Sequence, residues 1–168
     1  MRKLLAVILA GLMLLSLAAC GDSGTKVDLR YDGEKTYGVE FYYPNNSDIE
    51  IYTEEDYAEL NDNTEEYTFE ISLYEDDDYE YSQNWAKENV SDSYQETEVA
   101  GFKGYSYSTA SEYTLILPLE EVEEGTFRYI ELELQIDGNA EETKNFFNEN
   151  KDIQSIMNSF KYLGDVEE

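Results

Sequence analysis

The 168-residue chain has no histidine, one cysteine and two prolines, and it carries only 11 Lys and Arg against 39 Asp and Glu. Each shortage excludes something. Without histidine there is no Ser-His-Asp or Cys-His nucleophile system and none of the usual histidine-based zinc sites. With one cysteine there is no internal disulfide, so a folded domain must be held by its apolar core alone. A net charge of -28 repels the phosphate backbone of nucleic acids and anionic lipid head groups alike. Cationic partners or divalent ions are its electrostatic complement. Long apolar runs are scarce too. The longest, Leu4 to Ala19, has sixteen residues, short of the ~20 a membrane-crossing helix needs.

Aromatic residues are plentiful: 16 Tyr, 7 Phe and 1 Trp. Such a composition opposes disorder despite the acidity. The chain opens Met1-Arg2-Lys3, continues with the apolar run broken only by Gly11 and Ser16, and reaches the small residues Ala18 and Ala19 before Cys20. A charged start, an apolar stretch and small residues at a junction make a secretory signal. Leu17-Ala18-Ala19-Cys20 resembles the lipobox of bacterial lipoproteins, which reads Leu, small, small, Cys. The resemblance implies cleavage before Cys20, a diacylglycerol on its thiol, and residence on the extracytoplasmic face of the cell membrane. It also explains a lone cysteine in an exported chain. Beyond the leader the charge is -28 less the leader's +2, or -30.

Residues 20–36 read as a flexible, polar tether reaching roughly 20–25 Å. Residues 37–163 read as one domain, large enough to bury about two-thirds of its surface, and 164–168 as an acidic tail. Tyr37 to Tyr43 reads as a strand stopped by Pro44 and Asn45-Asn46-Ser47-Asp48. Ile49 to Thr53 is its hairpin partner, and Glu54 to Leu60 a short helix with an acidic start. In "YTFEISLY" Tyr67, Phe69, Ile71 and Leu73 face one way and Thr68, Glu70 and Ser72 the other, a half-buried strand. "SQNWAKENV" is a helix with Ser82 as N-cap. Its apolar face holds only Trp85, Ala86 and Val90. Tyr94 to Ala100 and Tyr105 to Ala110 read as a hairpin around Gly101-Phe102-Lys103-Gly104. Glu112 to Leu119 is a strand, with Pro118 marking an edge or an end. In Phe127 to Ile136, Ile130, Leu132, Leu134 and Ile136 oppose Glu131, Glu133 and Gln135. Asn139 and Glu142 form a capping-box pair. From Ala140 to Phe160 the pattern predicts one kinked helix or two short ones, with Ile153, Ile156, Met157 and Phe160 as an apolar stripe.

This α+β order resembles the PsbP-like fold, also found in a Ran-binding nuclear-import protein and in many small bacterial lipoproteins. The matching residues are Tyr37-Gly38-Val39-Glu40-Phe41-Tyr42-Tyr43-Pro44, Gly101-Phe102-Lys103-Gly104 and Ile156-Met157-Asn158-Ser159-Phe160-Lys161. The resemblance implies a curved antiparallel sheet between helices and a docking or assembly role. It supplies no catalytic residues.

Four constellations bear on chemistry. Ser23-Gly24-Thr25-Lys26 matches Ser-x-x-Lys, but a tether cannot hold a nucleophile in place. With so many acids, chance carboxylate pairs are certain, and a glycosidase-like pair needs a cleft and a fixed separation. Asp76, Asp77 and Asp78 offer hard oxygen ligands for calcium, without EF-hand spacing. Tyr105, Tyr107 and Tyr113 are a candidate aromatic binding surface for a sugar or a peptide, or else half-buried sheet packing. The leading expectation is a monomeric, membrane-anchored, non-catalytic binding or assembly module. It needs no cofactor, and its partner is a basic protein or an envelope component, not nucleic acid. The alternatives are an acidic ligand- or cation-binding module, for calcium or carbohydrate, and a carboxylate-based hydrolase.

Overall fold

The computed structural model describes residues 24–166 apart from 34, 46, 47, 63, 65 and 66. The expected leader, Cys20 and the Asn46-Ser47 part of the first turn lie outside the described residues. β1 (Gly24–Tyr31) pairs with β2 (Tyr37–Pro44), and β2 pairs on its other side with β10 (Lys161–Asp165), making a three-stranded antiparallel sheet. The tether expected over 20–36 is therefore corrected: from Gly24 onward it is strand. Val27 and Leu29 alternate with Lys26, Asp28 and Arg30, and both are buried, a period-two signal hidden by its charged neighbours. The expected acidic tail is corrected as well, since Gly164 and Asp165 belong to β10 and pair with Gly38 and Tyr37.

The other seven strands form one antiparallel sheet in the order β3-β4-β5-β9-β8-β7-β6. They are β3 (Ile49–Thr53), β4 (Tyr57–Asp62), β5 (Tyr67–Asp76), β6 (Gln95–Val99), β7 (Phe102–Ser108), β8 (Glu112–Glu123) and β9 (Thr126–Ile136). Two meanders, β3-β4-β5 and β6-β7-β8-β9, join through the β5–β9 ladder, where Phe69 sits opposite Leu134 and Ile71 opposite Leu132.

Four local expectations change. Ile49–Thr53 is not the hairpin partner of Tyr37–Tyr43, since it pairs with β4 in the large sheet while β2 pairs with β1 and β10 in the small one. Glu54–Leu60 is not a helix: Ala58 and Leu60 are buried while Tyr57, Glu59 and Asn61 are not, so the stretch alternates as a strand and pairs with β3 and β5. The hairpin after β6 turns at Ala100-Gly101, where both φ values are positive (51° and 87°), the two-residue reversal that matches strand twist. Gly104 instead lies inside β7, where an added Cβ would stand 2.0 Å from the Ile116 carbonyl oxygen. Pro118 lies well inside β8, opposite Tyr129. The β7 ladder stops at Ile116 and the β9 register shifts just after the proline, so its missing donor breaks little.

Three described helices complete the domain: α1 (Tyr79–Asn89), α2 (Ala140–Glu149) and α3 (Lys151–Ser159). α1 starts before the expected Ser82 cap. Asp78 precedes it without a side-chain cap, and Tyr79 is held by rings of Phe127, Tyr105 and Tyr129 at 4.9, 5.8 and 5.9 Å. The capping box at Asn139 and Glu142 is present, and the Asn150 side chain accepts from the Asp152 and Ile153 amides, splitting the last helical stretch in two.

The core lies on the inner face of the large sheet. There Leu60, Phe69, Ile71, Leu115, Leu132 and Leu134 join Leu29, Val39 and Phe41 of the small sheet and Phe147, Ile153 and Met157 of α2 and α3 in one cluster. α1 packs on the opposite, outer face, where Tyr79 and Ala86 meet Tyr105, Ile116 and Tyr129. The architecture is mixed α and β in one domain, with all ladders antiparallel.

Candidate functional site

Arg128 of β9 is the most heavily engaged charge. It is 3 % exposed, and its guanidinium donates to Glu75 at 2.7 Å, Asp165 at 2.6 Å, and Glu120, the Tyr162 hydroxyl and the Lys35 carbonyl at 3.3 Å each. It also stands 4.8 Å from the centre of the Tyr37 ring. These partners come from both sheets, so Arg128 clamps the β10 end of the small sheet onto the large one. Each of its three guanidinium nitrogens is engaged, which makes it a structural node between the sheets.

The outer face of the large sheet is different. The register places Tyr52, Glu59, Glu70, Glu133, Thr114 and Tyr107 side by side on β3, β4, β5, β9, β8 and β7. Glu131 and Glu112 flank Glu133 in the neighbouring rows. Like charges directly opposite in an antiparallel sheet destabilise it. Among the described residues no Lys or Arg forms an ion pair with any of these five glutamates. The Glu133 carboxyl is pushed up to about 7 by burial and then by Glu112, Glu131 and Glu70. Glu131 is raised by burial, Glu112 and Asp76. Glu59 moves the other way, because Asn61 and the Tyr57 hydroxyl donate to it. The row therefore sets a Glu59 carboxyl held down by its donors beside a Glu133 carboxyl pushed up by burial and its acidic neighbours.

Aromatic side chains border it. Tyr52 is 54 % exposed and Trp85, on α1, 42 %; Trp85 meets Tyr107 edge-on at 6.0 Å. A polar groove of about 680 Å3 opens beside the row, lined by Glu50, Asn61, Thr68 and Gln135 of the next register line and by Asp62 and Asp137.

The residues singled out from the sequence are dispersed. Tyr105 is fully buried under α1, and Tyr113 is buried on the inner face 4.5 Å from Phe147, so the three tyrosines share no surface. Only Tyr107 borders the open face. Asp76 is tied to the Tyr129 hydroxyl at 3.1 Å and to the Asp78 amide at 3.0 Å, while Asp77 and Asp78 point to solvent at the start of α1. Among the described residues no three Asp, Glu, His or Cys side chains are grouped to hold a metal ion. Lys26 of the Ser-x-x-Lys match is paired with Asp28 and Glu40 at 3.0 and 2.9 Å. Ser23 lies outside the described residues, as does Cys20.

Sequence reading missed Glu59, Glu112, Tyr52 and Tyr57, and it did not join Glu70 to Glu133. The alternation in "YTFEISLY" and "FRYIELELQI" turned Glu70, Glu131 and Glu133 outward, but only the β5–β9 register brings them together. The geometry defines an α+β domain with an open acidic and aromatic sheet face. No family model, curated protein or solved structure matches the chain.

Proposed function

We propose that the protein is a lipid-anchored module on the extracytoplasmic face of a bacterial membrane, a PsbP-like domain that binds a partner and does not catalyse. The observation that carries this reading is Leu17-Ala18-Ala19-Cys20 behind a charged start and an apolar run. The anchor then sits close to the fold. Four residue steps separate Cys20 from Gly24, at most about 14 Å of extended chain, so β1 begins near the head groups. The charge of -30 beyond the leader favours an orientation that turns the acidic faces away from anionic lipid. Such placement raises the local concentration of the domain around other membrane-held proteins. The open glutamate face suits a basic partner, whose encounter speeds up at low salt.

The binding reading is tested on the anchored chain by cross-linking in membranes at low and physiological salt, beside a screen of glycoside and ester substrates. Cross-linked partner that declines with salt, without turnover, is the expected result. Turnover that disappears when a single glutamate becomes glutamine would overturn the reading in favour of a carboxylate hydrolase.

A further inference from the structure

The open part of the outer sheet face carries a defined line of side chains. Tyr52, Glu59, Glu70, Glu133 and Tyr107 line it across six adjacent strands, with Thr114 buried between the last two. At about 4.8 Å per strand the line is roughly 24 Å long, a length that about seven residues of extended chain cover. Its middle is carboxylate with no cation paired to it among the described residues, and its ends are aromatic. Tyr52 stands more than half exposed at one end, and Tyr107 with Trp85 closes the other. The groove of about 680 Å3 runs alongside. At the α1 border the buried Tyr105 hydroxyl has no hydrogen-bond partner among the described residues.

We propose that this line is the docking surface for an extended, arginine-rich segment of a partner protein. The inference rests on the binding reading above and deepens it by naming the surface and the chemistry of the partner. Arginine suits the line better than lysine. A guanidinium stacks on tyrosine and tryptophan faces and grips carboxylates with two parallel donors, whereas an ammonium is a strongly hydrated point charge. A neutral sugar would bury the glutamates without compensating charge, which is unfavourable. A divalent ion lacks a grouped ligand set among the described residues.

The test is calorimetric titration of the full chain, held in zwitterionic detergent, with a ten-residue peptide alternating Arg and Ser. Peptides alternating Lys and Ser or Glu and Ser, and calcium chloride, serve as the other arms. The Arg-Ser peptide should bind at low salt and weaken as salt rises, with Lys-Ser several-fold weaker and Glu-Ser silent. The double variant Glu70→Gln/Glu133→Gln should weaken Arg-Ser binding about tenfold. The variant Glu123→Gln/Glu124→Gln removes the same charge from the β8–β9 hairpin tip and should change it less than twofold. An unchanged far-UV spectrum and an unlowered melting temperature show that the face variant is folded. Equal weakening by both double variants would reduce the effect to diffuse charge and overturn the docking line. Absence of Arg-Ser binding, or calcium displacing the peptide, would overturn it too. Cys20 takes no part in the titration, so failure of the anchor leaves this result intact. Failure of the titration in lipidated protein refutes the docking line alone.

Discussion

Glu133→Gln should stabilise the domain, and do so only where Glu133 would otherwise be ionised. The carboxyl sits among Glu70, Glu112 and Glu131 and is pushed up from 4.5 to about 7 by burial and by those neighbours. A folded-state value above the unfolded one means that the folded protein holds the proton more tightly. Stability from this group is therefore fully present below pH 4.5 and is lost as pH rises through 7. A shift of that size corresponds to roughly 3 kcal/mol in full, which solvent screening at a partly exposed position reduces to about 1–2 kcal/mol. Replacing the carboxyl by an amide removes the penalty. At pH 8 the variant should gain about 1–2 kcal/mol, or roughly 3–6 °C in Tm, and at pH 5 about a quarter of that. Urea unfolding at both pH values, with Glu123→Gln at the exposed hairpin tip as the charge control, measures it. A gain no larger than that of the control, or the same gain at both pH values, would refute the reasoning that the register concentrates charge on this face.

Arg128→Met should cost about 3 kcal/mol, because it leaves the Glu75 carboxylate, 2.7 Å away and 14 % exposed, without its partner at the seam between the sheets. Hydrogen exchange should show the Lys161–Asp165 strand losing protection first, and a loss under 1 kcal/mol would contradict the clamp. Gly104→Ala places a Cβ 2.0 Å from the Ile116 carbonyl oxygen, so β7 and β8 must part at a cost of about 3 kcal/mol or more. Gly101→Ala meets nothing within 4 Å and should cost only about 1 kcal/mol for its left-handed backbone. Similar urea midpoints for the two would contradict the close approach.

Much of the fold was written in alternation and capping. β5 and β9 were readable because each buried side chain is separated by a polar one, and Asn139 with Glu142 announced the start of α2. β1 was not readable as strand, because its buried residues Val27 and Leu29 are too few among charges to outweigh a polar leader-proximal composition. β4 was hidden by an acidic start that equally suits a helix N-terminus; pairing with β3 and β5 decided it. The helix cap at Ser82 failed because burying Tyr79 outweighs a good cap. The acidic face was half legible. Period two shows which glutamates point outward, but their neighbours on other strands depend on register, which no single strand encodes. The tyrosines misled for the same reason: Tyr105 and Tyr113 lie on β7 and β8 but face opposite sides of the sheet.

A binding module held at a membrane requires the anchor at Cys20. Metabolic labelling of cells with an alkyne-bearing palmitate, followed by mass spectrometry of the N-terminal peptide, tests it directly. The expected result is a chain beginning at Cys20 with diacylglycerol on the thiol, and a Cys20→Ala variant that is unlabelled and either uncut or released from the membrane. Label persisting on Cys20→Ala, or a mature chain that starts elsewhere with Cys20 unmodified, would contradict it.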